Sequence, residues 1–408
     1  MTSLPGYGRC TRHSRGPVGS VLLFSLASIL SVLHAKAADW SIVSNVSQSV
    51  DVDDNFELDA DSPGYAVSPT STATLDITAN APTYALILGG ELSYREFTGP
   101  GAPSNPEPLS ESLDAELTIR RSTYRFGVDG SFARKGATFN ETIEEFDELG
   151  VTTVNTDRLT YSLGAEASVD INRDNTVSLA GKYRTVDFGD TSGGLVSFED
   201  IDVSASWVQD WSESTEATYK ASLGLFDADD AEQTESQTLA VTAGVTKDIN
   251  ERFNVSGSVG VNVIHSSERV AGVEQNDTSV GPVFEVGLGY ALGVTEFSLK
   301  LSQSVKASAL GGLQERRSVE FGVNHQINTR ESFGLSAKYT IRDAASSQTS
   351  AAGRDRNFVS IAPTYSVSLS RYWSFQMGYQ FRVQDSDDGT GLSNRITGTL
   401  SRSFVLLP

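Results

Sequence analysis

The feature that most constrains this chain is an alternation of apolar and polar residues, repeated in successive stretches from residue 66 to the C-terminus. In residues 295–302, TEFSLKLS, the apolar Phe297, Leu299 and Leu301 alternate with polar or charged side chains. Because side chains on a β-strand point alternately to opposite faces, each stretch has one apolar and one polar face. A long succession of such strands is typical of a barrel with lipid outside and water inside.

The alternation and the turn residues between stretches predict eighteen strands. They lie at 42–52, 67–78, 83–97, 109–120, 123–134, 157–170, 175–187, 198–210, 214–226, 236–249, 251–265, 278–292, 294–307, 314–327, 331–343, 356–369, 371–385 and 392–405. The predicted fold class is all-β: a transmembrane antiparallel up-and-down β-barrel of about 18 strands. A count of 16 is left open, because the first strand is the weakest. A soluble β-sandwich is the alternative, which the strand length disfavours.

The connections between these strands are of two kinds. Short ones lie at 80–82, 172–174, 250–251, 293–294, 328–330 and 370–371, and long ones at 53–66, 98–108, 135–156, 188–197, 227–235, 266–277 and 344–355. We predict that short periplasmic turns and long external loops alternate without a break, as in outer-membrane barrels. Aromatic residues predict the two membrane-interface girdles: Tyr84, Tyr124, Phe253, Phe333 and Trp373 on the turn side, and Phe97, Phe132, Phe226 and Phe381 on the loop side.

Residues 1–37 have the organisation of a signal peptide. Arg9, Arg12 and Arg15 precede an apolar segment at 21–33 that is too short to span a membrane, and Ala35-Lys36-Ala37 forms a small-x-small cleavage site. We therefore expect a signal peptide at 1–37 and an outer-membrane β-barrel domain at 38–408. Cleavage would remove four positive charges, so the formal net charge of −21 would become −25.

Composition argues against several classes of function. An acidic chain is unsuited to nucleic acid, which requires a basic surface. The only cysteine, Cys10, lies in the predicted signal peptide. After residue 37 the only histidines are His265 and His325, so no metal site or cofactor is predicted. A surface enzyme with a Ser–His pair would need a serine beside a histidine on the lipid-facing side, and none neighbours His325 on its predicted face. We expect a protein that is not an enzyme.

Charged residues on the predicted inner face indicate a water-filled lumen. By alternation Arg95, Arg125, Lys182 and Arg184 point inward and are predicted to line the pore. The opposite placement would be unfavourable, because a Lys or Arg facing lipid near the midplane costs about 2–4 kcal/mol.

The longest connection, 135–156, is a candidate constriction. It resembles the third external loop of general porins in position and length, and it carries Glu144, Glu145 and Asp147. Folded inward opposite Arg125 and Arg184, it would favour cations, because rings of acidic side chains set that preference. A solvated external loop is the other interpretation.

Other acidic stretches are predicted in external loops. The first contains Asp51, Asp53, Asp54, Glu57, Asp59 and Asp61. Divalent cations could bridge these carboxylates to anionic lipopolysaccharide, since hard cations prefer oxygen ligands. The alternative, which we favour, is that they are solvated surfaces.

The two ends of the barrel region carry weaker signals. Alternation ending in Phe404 resembles the C-terminal signal that the barrel-assembly machinery reads, although Arg402 lies on the otherwise apolar face. Near the N-terminus, Val52-Asp53-Asp54-Asn55-Phe56 resembles the opening of a group of bacterial outer-membrane β-barrel porins, some encoded with exopolysaccharide systems. The resemblance implies an outer-membrane pore or export partner and names no substrate.

These observations together predict an outer-membrane channel for passive diffusion of small hydrophilic solutes, leaning toward cations. The alternative is a non-conducting structural or docking barrel that serves exopolysaccharide export. The expected partners are outer-membrane lipids and lipopolysaccharide, the barrel-assembly machinery and small hydrophilic solutes. A homo-oligomer is left open.

Overall fold

The computed structural model describes residues 38–407 except 105, 137–155, 192–194, 232, 271–272, 309–311, 345–355 and 387–388. The predicted signal peptide, 1–37, lies outside the described residues. The strands are β1 Asp39–Asp53, β2 Ala66–Ala81, β3 Tyr84–Arg95, β4 Leu109–Arg120, β5 Tyr124–Gly136, β6 Asp157–Asn172, β7 Asn175–Phe188, β8 Phe198–Ser212, β9 Thr215–Ala228, β10 Glu235–Asn250, β11 Phe253–Val270, β12 Val273–Leu292, β13 Thr295–Ser308, β14 Gly312–Gln326, β15 Glu331–Ala344, β16 Arg356–Ser368, β17 Trp373–Ser386 and β18 Gly389–Leu407.

The strands form one closed antiparallel barrel. Each strand pairs with its neighbours in sequence, and β1 pairs with β18 over Ile42↔Leu407 to Asp53↔Arg395, which closes the sheet. The predicted all-β barrel is confirmed with 18 strands rather than 16, and every predicted strand overlaps an observed one. Both ends of the described chain lie at the end of the barrel with the short turns, which we call the turn end. The opposite end is the loop end.

The outer surface of the barrel is apolar. Large aliphatic and aromatic side chains such as Leu163, Leu179 and Val241 are exposed on it, which is the arrangement expected of a surface that contacts lipid. Near the turn end, Trp207 stacks on Tyr219 with ring centroids 5.2 Å apart. No helix in the part of the chain that the structure describes is long and apolar enough to cross a membrane.

Arg402, the unexpected charge on the outer face of β18, is held against aromatic rings. Its guanidinium carbon lies 4.6 Å from the ring centroid of Phe404 and 5.3 Å from that of Trp373. Cation–π contacts of this kind accommodate an arginine at a membrane interface. The charge therefore fits the apolar face at this end of the barrel.

The predicted alternation of short turns and long loops is wrong at the loop end. Residues 266–277, predicted as a long loop, belong largely to β11 and β12, which pair as far as Val270↔Val273. The polar side chains there mark where the strands leave the membrane, not where pairing ends, because a hairpin can continue into water. The β13–β14 and β17–β18 connections are also short, with Ser308↔Gly312 and Ser386↔Gly389 paired.

The wall of the barrel opens between β12 and β13 toward the loop end. These strands pair only from Leu292↔Thr295 to Phe284↔Gln303. Above that point β12 stays with β11 and β13 stays with β14. Nine paired residues at ~3.3 Å per residue and a ~40° tilt span about 23 Å, close to the ~25 Å apolar band of such barrels. The strands therefore separate near the edge of that band, where water can satisfy their free backbone groups.

Buried ion pairs join β1 to β17 and β18 on the inner face. Asp53 is 2% exposed and contacts the Arg382 guanidinium, and its other oxygen accepts a hydrogen bond of 2.7 Å from the Ser393 hydroxyl. Asp51 lies 2.9 Å from the Arg395 guanidinium. The interpretation that Asp51 and Asp53 belong to a solvated external loop is therefore wrong. They lie within β1, where alternation turns them into the lumen wall.

This network makes a prediction about stability. Replacing Asp53 with alanine leaves the Arg382 guanidinium buried without its carboxylate, and breaking one partner of a buried pair costs about 3–5 kcal/mol. We expect the Asp53→Ala barrel to unfold at a lower urea concentration, measured by loss of the heat-modifiable band on gels. The matched control is Asp174→Ala, in an exposed turn, which should change the free energy of unfolding by no more than about 0.5 kcal/mol. Equal midpoints for the two variants would contradict the role of the network.

Candidate permeation pathway

A chamber of about 1360 Å³ lies in the lumen of the barrel. It is enclosed by the inner faces of β7–β11 on one side and by β12–β15 on the other. Most of its lining is Ser, Thr, Gly or charged, because alternation places the polar half of each strand inside. A space of this kind holds water rather than apolar side chains.

The chamber lining is basic although the chain is acidic. Among the described residues its acidic members are Asp200, Asp202, Glu285 and Glu320. Its basic members are Lys182, Arg184, Lys220, Lys300, Lys306, Arg316, Lys338 and Arg342. Eight basic and four acidic side chains give a net of four positive charges, against −21 for the whole sequence.

Ion pairs on the wall hold Arg184, Lys300 and Lys338. Arg184 Nε lies 2.7 Å from Asp200 Oδ1, Lys300 Nζ lies 2.9 Å from Glu285 Oε2, and Lys338 Nζ lies 3.2 Å from Glu320 Oε1. Each pair joins neighbouring strands on the inner face. The pairs neutralise part of the lining and hold the side chains against the wall.

The structure places the residues predicted to line the pore in three different environments. Lys182 and Arg184 lie in the chamber, half-way or more along β7 from the turn end. Arg125 lies on the inner side of β5 next to the turn end, whereas the 135–156 loop leaves from the opposite end of that strand. Arg95 is 2% exposed, and its Nε donates a hydrogen bond of 2.8 Å to Thr70 Oγ1. Its Nη2 lies 3.8 Å from Asp51 Oδ2, so Arg95 belongs to the buried network around Asp51 and Asp53 rather than to an open lining. Glu144, Glu145 and Asp147 lie outside the described residues.

The part of the pathway that sequence reasoning missed is the upper end of β13 and β14. We call residues 304–308 and 312–318 the inner hairpin. Ala307 and Leu313 stand on the outer side of these strands, yet they pack against inner-face residues of β7, β8 and β9. Glu315, also on the outer side, lies beside Gly281 of β12, where a Cβ would be 4.0 Å from Oε2. Having parted from β12, this end of the sheet lies inside the barrel and narrows it.

An apolar cluster inside the lumen holds the inner hairpin in place. Its buried members are Val186, Phe188, Leu195, Phe198, Phe226 and Ala228. The rings of Phe198 and Phe226 are 5.5 Å apart, and the Arg184 guanidinium lies 5.2 Å from the Phe198 centroid. The prediction that Phe226 belongs to a lipid-facing girdle is therefore wrong. Its even position on β9 faces inward, opposite to the lipid-facing Leu223 and Leu225.

One sequence signal could have revealed the inner hairpin. Gln303, Glu315 and Arg317 occupy positions that alternation assigns to the lipid-facing side, and they are polar. Gln303 Nε2 donates a hydrogen bond of 3.0 Å to Glu315 Oε1, and Arg317 Nε lies 2.8 Å from the same oxygen. Polar groups on an outward face indicate that the face does not contact lipid.

The first connection, 54–65, also contributes to the loop end of the lumen. Leu58, at φ 53°, is buried against Phe358 on the inner face of β16. Its carbonyl oxygen lies so close to Gly391 that a Cβ there would be 1.7 Å away, so only glycine fits in β18 at this point. Partial burial, and then the Asp59 carboxylate, raise the pKa of Glu57.

A second cavity of about 1020 Å³ lies at the turn end. Asn254, Glu296 and Asn324 are among its lining residues. Ser298, Gly322 and Ser336 line both this cavity and the chamber. The two spaces therefore adjoin and extend from the inner hairpin to the turn end of the barrel.

The histidines do not form a catalytic constellation in the described structure. His265 Nδ1 lies 3.0 Å from Thr278 Oγ1, and His325 Nδ1 lies 2.7 Å from Thr295 Oγ1. In the described part of the chain neither imidazole is within ion-pair distance of a carboxylate, which would orient it in a triad. The same residues contain no group of three metal-ligating side chains.

Fold and lumen together define an 18-stranded β-barrel with a polar interior and a narrowed loop end. No protein-family model and no curated protein matches the sequence. Similar solved structures include the ferric-catecholate import receptor Fiu of E. coli K12, at 9% identity and TM-score 0.49, covering 90% of this chain and 82% of that one. A BenF-like porin from Pseudomonas fluorescens Pf-5 has 11% identity and TM-score 0.48, covering 90% of this chain and 99% of that one. Pseudomonas aeruginosa OccK2 (OpdF) has 12% identity and TM-score 0.47, covering 91% and 99%.

The apolar cluster predicts a change in conductance. Replacing the buried Phe198 with alanine removes a large side chain from the surface that holds the inner hairpin, at a cost of about 3–5 kcal/mol. We expect the hairpin to move from its packed position, so that single channels of Phe198→Ala become larger and noisier in planar bilayers.

The control for this variant is Phe198→Leu, which keeps the site apolar. It should conduct like the wild type. A Phe198→Ala barrel that folds and has wild-type conductance would show that the inner hairpin does not narrow the pathway.

Proposed function

We propose that this protein is an outer-membrane channel through which small hydrophilic solutes diffuse passively. The observation that carries the proposal is the pair of adjoining cavities inside a closed barrel with an apolar exterior, the first of which is lined mostly by Ser, Thr, Gly and charged residues. An apolar exterior requires lipid, and a barrel of 18 strands leaves space for water. The predicted signal peptide at 1–37 would supply export to the outer membrane.

The expected lean toward cations stays a prediction, because it rests on Glu144, Glu145 and Asp147. Neutralising all three should shift the reversal potential in a salt gradient toward the anion side. The same potential before and after substitution would dismiss the acidic loop as a selectivity element.

The second candidate is a non-conducting docking barrel that serves exopolysaccharide export. Two observations favour it: the inner hairpin and the 54–59 segment both occupy the loop end of the lumen. Buried contacts such as Leu58 with Phe358 would suit a barrel that stays closed until a partner binds.

Liposome swelling separates the two candidates. Vesicles containing the refolded protein should swell in isotonic arabinose and more slowly in larger uncharged sugars, because a narrowed pore passes solutes by size. Phe198→Ala should raise the rate for the larger sugars. Vesicles that contain folded barrel and do not swell in any of these sugars would exclude passive diffusion and favour the docking barrel.

A further inference from the structure

We propose that the lumen chamber is an anion-binding site and that the solutes it selects carry carboxylate or phosphate groups. This inference rests on the proposed function and names the substrate class for the same pathway. It gives the chamber the opposite sign of preference from that expected of the acidic loop. The two ideas concern different residues, so they can be tested separately.

The first step is the charge that the ion pairs leave over. Among the described residues, no carboxylate lies within 4.0 Å of the Lys182 or Lys220 ammonium, and neither ammonium donates a hydrogen bond to any of these residues. Both side chains are exposed to the chamber. Asp202 pairs in register with Lys182 across β7 and β8 and offsets only part of this charge. Two exposed ammonium groups therefore remain available to a solute at mid-height in the barrel.

The second step is the basic row above these lysines. Arg316, Arg342 and Arg356 occupy directly paired positions on β14, β15 and β16, all on the inner face. Like charges opposite each other on neighbouring strands are destabilising. Arg342 is buried and each of the three residues has a contact within the protein, so the row adds positive potential above the lysines, and the ammonium groups of Lys182 and Lys220 are the groups that meet the solute.

The third step is the position of this charge along the pathway. The chamber lies between the inner hairpin and the cavity at the turn end, so a solute that crosses the barrel passes the lysines. Low-dielectric walls around a narrow aqueous space strengthen the potential of such charges. A negatively charged solute would therefore concentrate in the chamber relative to a neutral or positive one.

Reversal potentials across a planar bilayer in a KCl gradient test this assignment. We expect the Lys182→Gln/Lys220→Gln double variant to have a chloride-to-potassium permeability ratio roughly two- to threefold below that of the wild type, whichever ion the wild type prefers. Lys247→Gln is the matched control, because Lys247 lies on the outer side of β10 and should leave the ratio unchanged. A double variant with the wild-type ratio would overturn the proposal.

A second measurement does not require conduction. Inorganic pyrophosphate, at matched ionic strength, should slow acylation of Lys182 and Lys220 by a lysine-reactive reagent several-fold, with no effect on Lys247, as followed by mass spectrometry. Equal protection of all three lysines, or of none, would refute the anion site. Protection in a barrel that carries no current would support the site while refuting the passive channel, so the two failures are distinguishable.

Discussion

The structure depends on one constraint: a backbone placed in hydrocarbon must satisfy its own hydrogen bonds, so the first strand of the sheet has to meet the last. β1 and β18 fulfil it through a continuous register from Ile42↔Leu407 to Asp53↔Arg395. Side chains then fix that register from the lumen side, where Asp53 contacts Arg382 and Asp51 contacts Arg395. A slip of one residue would turn both carboxylates toward lipid and Val50 and Val52 toward water. The register that closes the barrel therefore also determines which side chains face lipid and which face water.

The pairing of neighbouring strands is interrupted between β12 and β13, and this interruption affects the shape of the lumen. β12 and β13 stay paired over about the thickness of an apolar band and then part. Beyond the band, water can bond the freed edges, so β13 and β14 are able to enter the lumen. There they meet Phe198 and Phe226, apolar residues whose exposure to water inside the barrel would otherwise be unfavourable. The inner hairpin therefore covers apolar residues in the lumen, and those residues hold the hairpin inside the barrel.

Alternation was enough to predict the barrel. Each membrane-spanning strand has its own apolar, lipid-facing side with a period of two, so each strand can be recognised without reference to its neighbours. The same rule failed where a strand leaves the membrane. Ser266 and Ser267 were predicted to lie in a loop, although they pair in β11. Phe226 was predicted to face lipid, although its position in the alternation of β9 turns its side chain inward. The alternation predicted which face each charged side chain lies on, but not which residues it contacts. Arg95 and Lys182 both point inward. Arg95 is buried because it contacts Asp51 and Thr70, which the sequence alone does not place beside it, whereas Lys182 is accessible in the chamber.

The central claim is that the two adjoining cavities form an open aqueous path narrowed by the inner hairpin. Single-channel recording of the refolded protein in a planar bilayer tests it most directly. The account predicts stepwise, stable openings in every preparation that shows a heat-modifiable folded barrel. A folded barrel that inserts into the bilayer and never opens would contradict it, and would mean that the contacts at the loop end seal the lumen.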